Sequence, residues 1–356
     1  MCNICGYAGN KRAVPELIKM MRKQHYFDGG FSTGIATIHE GKIYWRKILG
    51  NIDDLIEKTD VMDLPGNIGI MHSRPANNLY EYAHPFVSPN GRVAAVINGT
   101  GVIDHNSPRK NATVDRLAEE GYAFRSCRFA EKDGFPQLST GEYVATCEAI
   151  VYYVDSEMKN GVSFHEAFAK ATTDFYGDNV CVALNLDNPD EINVCRNSRP
   201  MCALLAEGET YIATTRFAFP EDVKGEMVTL PLRDICTLTK NGLKISEYHS
   251  TGEIPCEITP EIYKRAYDRF EEMLKGKKDT PLVYDDVEVE LWFNMPDLWP
   301  EERPYRIFAQ LTYDVLYDMY KEGKLKMEIR PQEKHWGTRD CAFMWIDLGV
   351  ETVCVI

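Results

Sequence analysis

Apolar residues in this chain gather in short runs. Residues 2–8, 32–38, 43–47, 67–71 and 92–98 each read as a strand, with a helix near Val14–Gln24, opened around Pro15, between the first two. Val93-Ala94-Ala95-Val96-Ile97 is continuous and apolar, as in a fully buried strand; a short buried helix segment has the same pattern. Asn98-Gly99 closes the run with a turn-forming dipeptide. Ala112–Glu120 reads as a helix, followed to residue 140 by a polar connection rich in Arg, Lys and Ser. Thr146–Val154 and Ser163–Thr172 read as two more helices. Further short apolar runs follow at Asn179–Leu184, Ile192–Cys195, Ala203–Leu205, Tyr211–Thr214 and Ile235–Leu238.

The pattern changes near residue 251. Thr259-Pro260 supplies an N-cap and a proline at the first helical position, and Ile262, Ala266, Phe270, Met273 and Leu274 mark one helical face. Pro281, Pro296, Pro300 and Pro304 punctuate the middle. A second helix is expected over about Arg306–Glu322, with Gly323 beyond its end. Leu325–Ile329 alternates with period two, Pro331–Asp340 reads as a loop, and Ala342–Leu348 is apolar. A helix followed by two strands faintly resembles a winged helix; a generic α/β accessory or dimerisation module is the stronger reading and leaves a homo-oligomer open.

Composition narrows the partners. A net charge of −14 argues against nucleic acid or an anionic membrane as the ligand. With no basic-plus-apolar leader and no apolar run long enough to span a bilayer, the expected location is cytoplasmic. Eleven cysteines without a disulfide spacing are then expected to be mostly reduced thiols. Cys2-x-x-Cys5 has no second ligand pair, so neither zinc nor any other metal or cofactor is expected.

Cys2 carries the first chemical signal. Methionine aminopeptidase removes Met1 before a small side chain, leaving Cys2 with a thiol and a free α-amine. That amine has a reference pKa of about 8, so it can take the thiol proton without a separate histidine. The alternative is a buried structural cysteine at the start of the first strand. Asn98 and Gly99 offer a side-chain amide and a backbone N–H that would form an oxyanion hole; the alternative is a plain hairpin turn. Arg74, at the end of a strand-like stretch, suits bidentate binding of a carboxylate or a surface ion pair.

These segments together resemble the class II glutamine amidotransferase family, whose members begin Met-Cys-Gly-Ile-x-Gly. Asp28-Gly29-Gly30-Phe31-Ser32-Thr33-Gly34 is similar to the family's Arg-Gly-x-Asp-Ser-Ala-Gly, and Met71-His72-Ser73-Arg74-Pro75-Ala76-Asn77 to its Gly-His-Thr-Arg-x-Ala-Thr. Ala83-His84-Pro85-Phe86, followed by Val93–Ile97 and Asn98-Gly99, resembles its Ala-His-Pro, buried strand and Asn-Gly. Val194–Pro200 resembles its Arg-Asp-x-x-Arg-Pro-Leu. The likeness covers residues 2–250. It implies an α+β fold, the four-layer αββα sandwich of N-terminal-nucleophile (Ntn) hydrolases; residues 251–356, outside the likeness, read as a smaller C-terminal α/β accessory module.

The resemblance also implies roles: Cys2 as nucleophile, Asn98 and Gly99 as oxyanion hole, Arg74 with Asn77 and Asn78 on the substrate α-carboxylate. At the place of the family's ammonium-binding Asp the chain has Thr146, and at the place of an Arg it has Asp28. A neutral hydroxyl cannot replace a carboxylate beside an ammonium, so free glutamine is expected to bind weakly unless Glu142, Asp28 or Glu148 compensates. The expected activity is hydrolysis of a glutamine-type amide through a thioester, releasing ammonia for a separate synthase, in the manner of stand-alone glutaminase subunits. Alternatives are a free-standing amidase acting on a modified glutamine or another amide, and an inactive ligand-binding regulator.

Overall fold

A computed structural model describes residues 2–75, 79–100, 108–129, 135–251, 257–299, 307–335 and 337–348. The chain forms two compact units, Met1–Pro255 and Cys256–Ile356.

The first unit runs β1 (Asn3–Ala8), α1 (Ala13–Gln24), β2 (Ser32–His39), β3 (Lys42–Leu49), α2 (Ile52–Lys58), β4 (Ile68–Arg74), β5 (Phe86–Val87), β6 (Val93–Thr100), α3 (Pro108–Glu119), α4 (Thr146–Lys159) and α5 (Phe164–Asp174). β7 (Asp178–Asn185), β8 (Ile192–Arg196), β9 (Cys202–Ala206), β10 (Glu209–Ala213), β11 (Gly225–Thr229), β12 (Asp234–Thr239) and β13 (Gly242–His249) complete it. Two antiparallel sheets result, ordered β11-β9-β10-β1-β4-β2-β3 and β13-β12-β8-β7-β6-β5.

Three apolar clusters make this a four-layer αββα sandwich, the fold expected of an Ntn hydrolase. One joins Ile4, Ala8, Ile68 and Ile70 of the first sheet to Ala94, Val96, Val180 and Val182 of the second. A second joins Cys5, Tyr7 and Met71 to Val14, Leu17 and Met21 of α1. A third joins Val93, Ala95 and Ile97 to Ile150, Val154 and Phe168 of α4 and α5. Every side chain of β1 is buried, so its apolar run is continuous; its successive residues nonetheless belong to different layers.

The short-helix alternative for Val93–Ile97 is overturned, because these residues pair with β7 along a regular ladder. So is the hairpin turn at Asn98-Gly99: β6 continues through both residues, opposite Val180 and Asn179.

The second unit has α6 (Pro260–Leu274), α7 (Tyr284–Phe293), α8 (Ile307–Lys321) and a hairpin of β14 (Leu325–Lys334) and β15 (Gly337–Ile346). Thr259 caps α6, its hydroxyl accepting from the Ile262 N–H at 3.2 Å. Tyr284 stacks on Tyr313 with ring centroids 4.4 Å apart, joining α7 to α8. The loop expected over Pro331–Asp340 is largely strand, with Pro331 opposite Asp340 and Glu333 opposite Thr338. Backbone pairing holds these polar residues in a ladder that no apolar pattern announces.

Candidate active site

The face of β1 that carries Ile4 and Ala8 points between the sheets, and Cys2 continues that alternation just before the strand. On β6 the residues sharing a face with Ala94 and Val96 include Asn98. The two alternations bring Cys2 and Asn98 together at one end of the sandwich. The backbone nitrogen of Cys2 donates to Asn98 Oδ1 at 3.1 Å, and Asn98 Nδ2 donates to the Cys2 carbonyl at 2.6 Å. Asn98 is 1% exposed, whereas the Cys2 thiol is free and half-buried.

Gly99 has φ +105°, and a Cβ there would lie 1.9 Å from the Asp178 carbonyl. Glycine is therefore required for β6 to pass β7 at this point.

An open cleft holding about 760 Å³ of empty space begins at Cys2, Asn98 and Gly99. Arg74, Tyr82, His84 and Phe86 line it further, as do Phe135, Thr146 and Arg199. Arg74 ends β4, and its Nη1 donates to the Tyr82 carbonyl at 3.1 Å. Arg199 pairs with Asp178 at 2.6 Å, and Asp178 also accepts from Ser198 Oγ at 2.7 Å.

The rings of His72 and His84 lie with centroids 4.1 Å apart, tilted by 36°, and His72 Nε2 lies 3.2 Å from the Ile97 carbonyl. Burial pushes the His72 imidazole down to about 3, with Arg74 adding to the effect. The same burial holds His84 well below the ordinary histidine range, reinforced by His72, Arg74 and Lys47. Both rings are neutral near pH 7 and contribute no positive charge to the cleft.

Thr146 is the first residue of α4 and 4% exposed; its hydroxyl has no hydrogen-bond partner among the described residues. No carboxylate stands among the described residues that line the cleft. The three carboxylates left open as substitutes, Glu142, Asp28 and Glu148, lie elsewhere. Glu148 is fully buried and accepts from the Ser126 N–H at 2.9 Å, Ser126 Oγ at 2.6 Å and Tyr152 Oη at 2.9 Å. Glu142 accepts from Thr140 Oγ1 at 3.0 Å, and Asp28 is buried but does not line the cleft. Asn77 and Asn78 lie outside the described residues.

Cys5 turns the other way. Its Sγ approaches the Leu17 carbonyl at 3.5 Å beneath α1, and burial pushes its thiol far up. Cys2 and Cys5 thus do not converge as a pair.

No family model matches the chain. It is 28% identical over 301 residues to the glutamine–fructose-6-phosphate aminotransferase (isomerizing) of Pyrococcus horikoshii, covering 80% of this chain and 45% of that protein. It is 31% identical over 333 residues to the protein of the same name from Staphylococcus aureus, covering 88% of this chain and 50% of that one. Among solved structures, the glutamine phosphoribosylpyrophosphate amidotransferase of B. subtilis superposes with a TM-score of 0.55 at 17% identity, over 74% of this chain and 52% of that one. The chain carries a class II glutamine amidotransferase domain.

The chain spans about half the length of the curated relatives it matches. Sequence reading alone did not single out Tyr82, Phe86, Phe135 or Arg199 as lining the amidotransferase cleft. Arg199 and Phe86 fall in recognised segments, whereas Tyr82 and Phe135 come from connections whose local composition carries no chemical signature. Among the described residues, no helix is long and apolar enough to cross a membrane.

Proposed function

We propose that this chain hydrolyses the side-chain amide of glutamine or a glutamine-like substrate, with Cys2 as nucleophile, and passes the released ammonia to an acceptor enzyme. The observation that carries the reading is the reciprocal hydrogen bonding between the Asn98 amide and the Cys2 main chain at the mouth of the cleft. Once Met1 is removed, the nitrogen facing Asn98 Oδ1 is the α-amine. Held there, the amine takes the thiol proton, and Sγ attacks the substrate's carboxamide carbon. The oxyanion is met by the second hydrogen of Asn98 Nδ2 and by the Gly99 N–H. The amine's proton goes to the departing nitrogen, ammonia leaves and a thioester remains. Water, giving its proton to the same amine, then cleaves the thioester and frees the acid.

Arg74, Asn77 and Asn78 are assigned to the substrate carboxylate on the family resemblance. A specific observation favours a second reading, an amidase for a glutamine whose α-amine is blocked. Thr146 replaces the carboxylate an ammonium needs, at the start of a helix whose N-terminal end already carries partial positive charge. Residues 256–356 are read as an accessory module. No disulfide joins the described cysteines, which fits a reducing, cytoplasmic setting.

The test is ammonia release from L-glutamine, N-acetyl-L-glutamine and other primary amides by protein whose intact mass lacks Met1. Peptide mapping after an electrophilic glutamine analogue should place the label on Cys2. A label elsewhere, or full turnover by protein retaining Met1, contradicts the assignment.

A further inference from the structure

Lys47 lies on β3 opposite Gly34 of β2, half-buried and outside the cleft lining. Its Nζ donates to the Ala83 carbonyl at 2.7 Å. It stands 5.0 Å from the ring centroid of Phe86, 5.2 Å from that of Tyr80 and 6.0 Å from that of Trp45. An ammonium among aromatic faces is attracted by their quadrupoles. One residue earlier, the Tyr82 carbonyl accepts from Arg74. Two cations, from the strands on either side of β2, therefore hold consecutive carbonyls of one segment.

That segment supplies Tyr82, His84 and Phe86 to the cleft wall. It runs so close to the sheet that a Cβ on Gly34 would lie 2.1 Å from the His84 carbonyl and 2.7 Å from Lys47 Cβ. Glycine there lets the segment and the lysine share the space over β2. Phe86 belongs to both sets, meeting Lys47 on one side and lining the cleft on the other.

We propose that Lys47 is a positioning residue: clasped between the Ala83 carbonyl and the rings of Phe86, Tyr80 and Trp45, its ammonium sets the 82–86 wall against which substrate binds. It acts through that wall, not on the reacting atoms at Cys2. The proposal rests on reading the cleft as an amide-hydrolysing site.

The clasp is graded by pH. Burial, then the nearby Arg125 guanidinium, brings the Lys47 ammonium down to about 8. Glu148, Cys147 and Glu81 push the other way, and His84 faces it as a neutral ring. The charge is present below about pH 8 and lost above it. A neutral amine still donates to a carbonyl, without charge assistance and without attraction to the rings.

Lys47→Met and Lys47→Arg test this, with N-acetyl-L-glutamine and L-glutamine as substrates and hydrogen exchange measured over residues 79–87. The acetylated substrate has no amine to titrate. For Lys47→Met we expect KM to rise on the order of tenfold, the low end for a charge-assisted hydrogen bond, with kcat within about twofold. Exchange over 79–87 should quicken. Wild-type KM should rise between about pH 7 and pH 9.5, whereas Lys47→Arg, which does not titrate there, should stay flat. Unchanged KM and exchange in Lys47→Met, or a loss confined to kcat, overturns the proposal. If Lys47→Met fails to fold, Lys47→Arg decides: a flat profile supports the clasp, and a wild-type profile overturns it. If the wild type neither releases ammonia nor takes a label at Cys2, the hydrolytic reading falls by itself. Exchange then decides the clasp, faster in its favour and unchanged against it.

Discussion

Cys2 and Cys5 sit at the start of the same strand, both as free thiols, and the fold gives them opposite environments. Cys2 opens into the cleft, its main chain held at nitrogen and carbonyl by Asn98. Cys5 is sealed under α1 beside Leu17, where burial makes a thiolate unfavourable. Alternation along one strand separates them: even positions look toward the second sheet, odd ones toward the helix layer. What matters for reactivity is thus which layer a side chain enters, more than the presence of two cysteines near the chain's start.

The largest effect should come from exchanging those environments for alanine one at a time. Cys2→Ala is expected to lower turnover by about three orders of magnitude or more, as loss of a nucleophile does. Cys5→Ala should leave turnover within about twofold while costing about 1 kcal/mol of stability, an ordinary loss for a small core change. Ammonia release together with thermal melts reads both. Turnover lost equally in the two variants would erase the distinction between the faces.

Asn98→Ala should come next. It removes both the partner of the Cys2 main chain and a donor to the oxyanion, and is expected to lower kcat by about 100-fold or more with a smaller change in KM. Steady-state kinetics on the Met1-processed chain checks this. A rise in KM with kcat intact would make Asn98 a binding residue only.

The smallest effect belongs to Thr146 in the cleft lining. Thr146→Asp should shift the ratio of specificity constants toward free L-glutamine and away from N-acetyl-L-glutamine by roughly 10- to 150-fold, the span of a charge-assisted hydrogen bond worth about 1.5–3 kcal/mol. Measuring kcat/KM for both amides on both proteins gives the answer. A native preference for free glutamine that the substitution does not increase would mean that another acid serves the ammonium.

The elements around the cleft were legible in the sequence. Apolar runs announced β1, β4 and β6, and motif order singled out Cys2, Arg74, Asn98 and Gly99 at their ends. Less legible were elements whose stability does not come from an apolar face. β11 and β13 are largely exposed edge strands of polar character. α2 begins with a capping box between Asn51 and Asp54, and it is too short to show a periodic stripe. α7 lies between prolines that read as punctuation. In β14 and β15 the ladder runs on through Gln332 and Arg339, held by backbone groups that every residue possesses.

By itself, then, the sequence determined which residue types stand where and with what period, because strand alternation is local and a short window records it. It also determined the departure at Thr146, an identity rather than a geometry. Only the tertiary structure decided that the Asn98 amide spends both ends on the Cys2 main chain, and that the Asn-Gly pair is strand instead of turn. Only it gathered Tyr80, Phe86 and the Ala83 carbonyl around the Lys47 ammonium. These contacts join residues tens of positions apart, across two sheets or a loop. Their geometry follows from how the layers pack and pair, which no local period encodes.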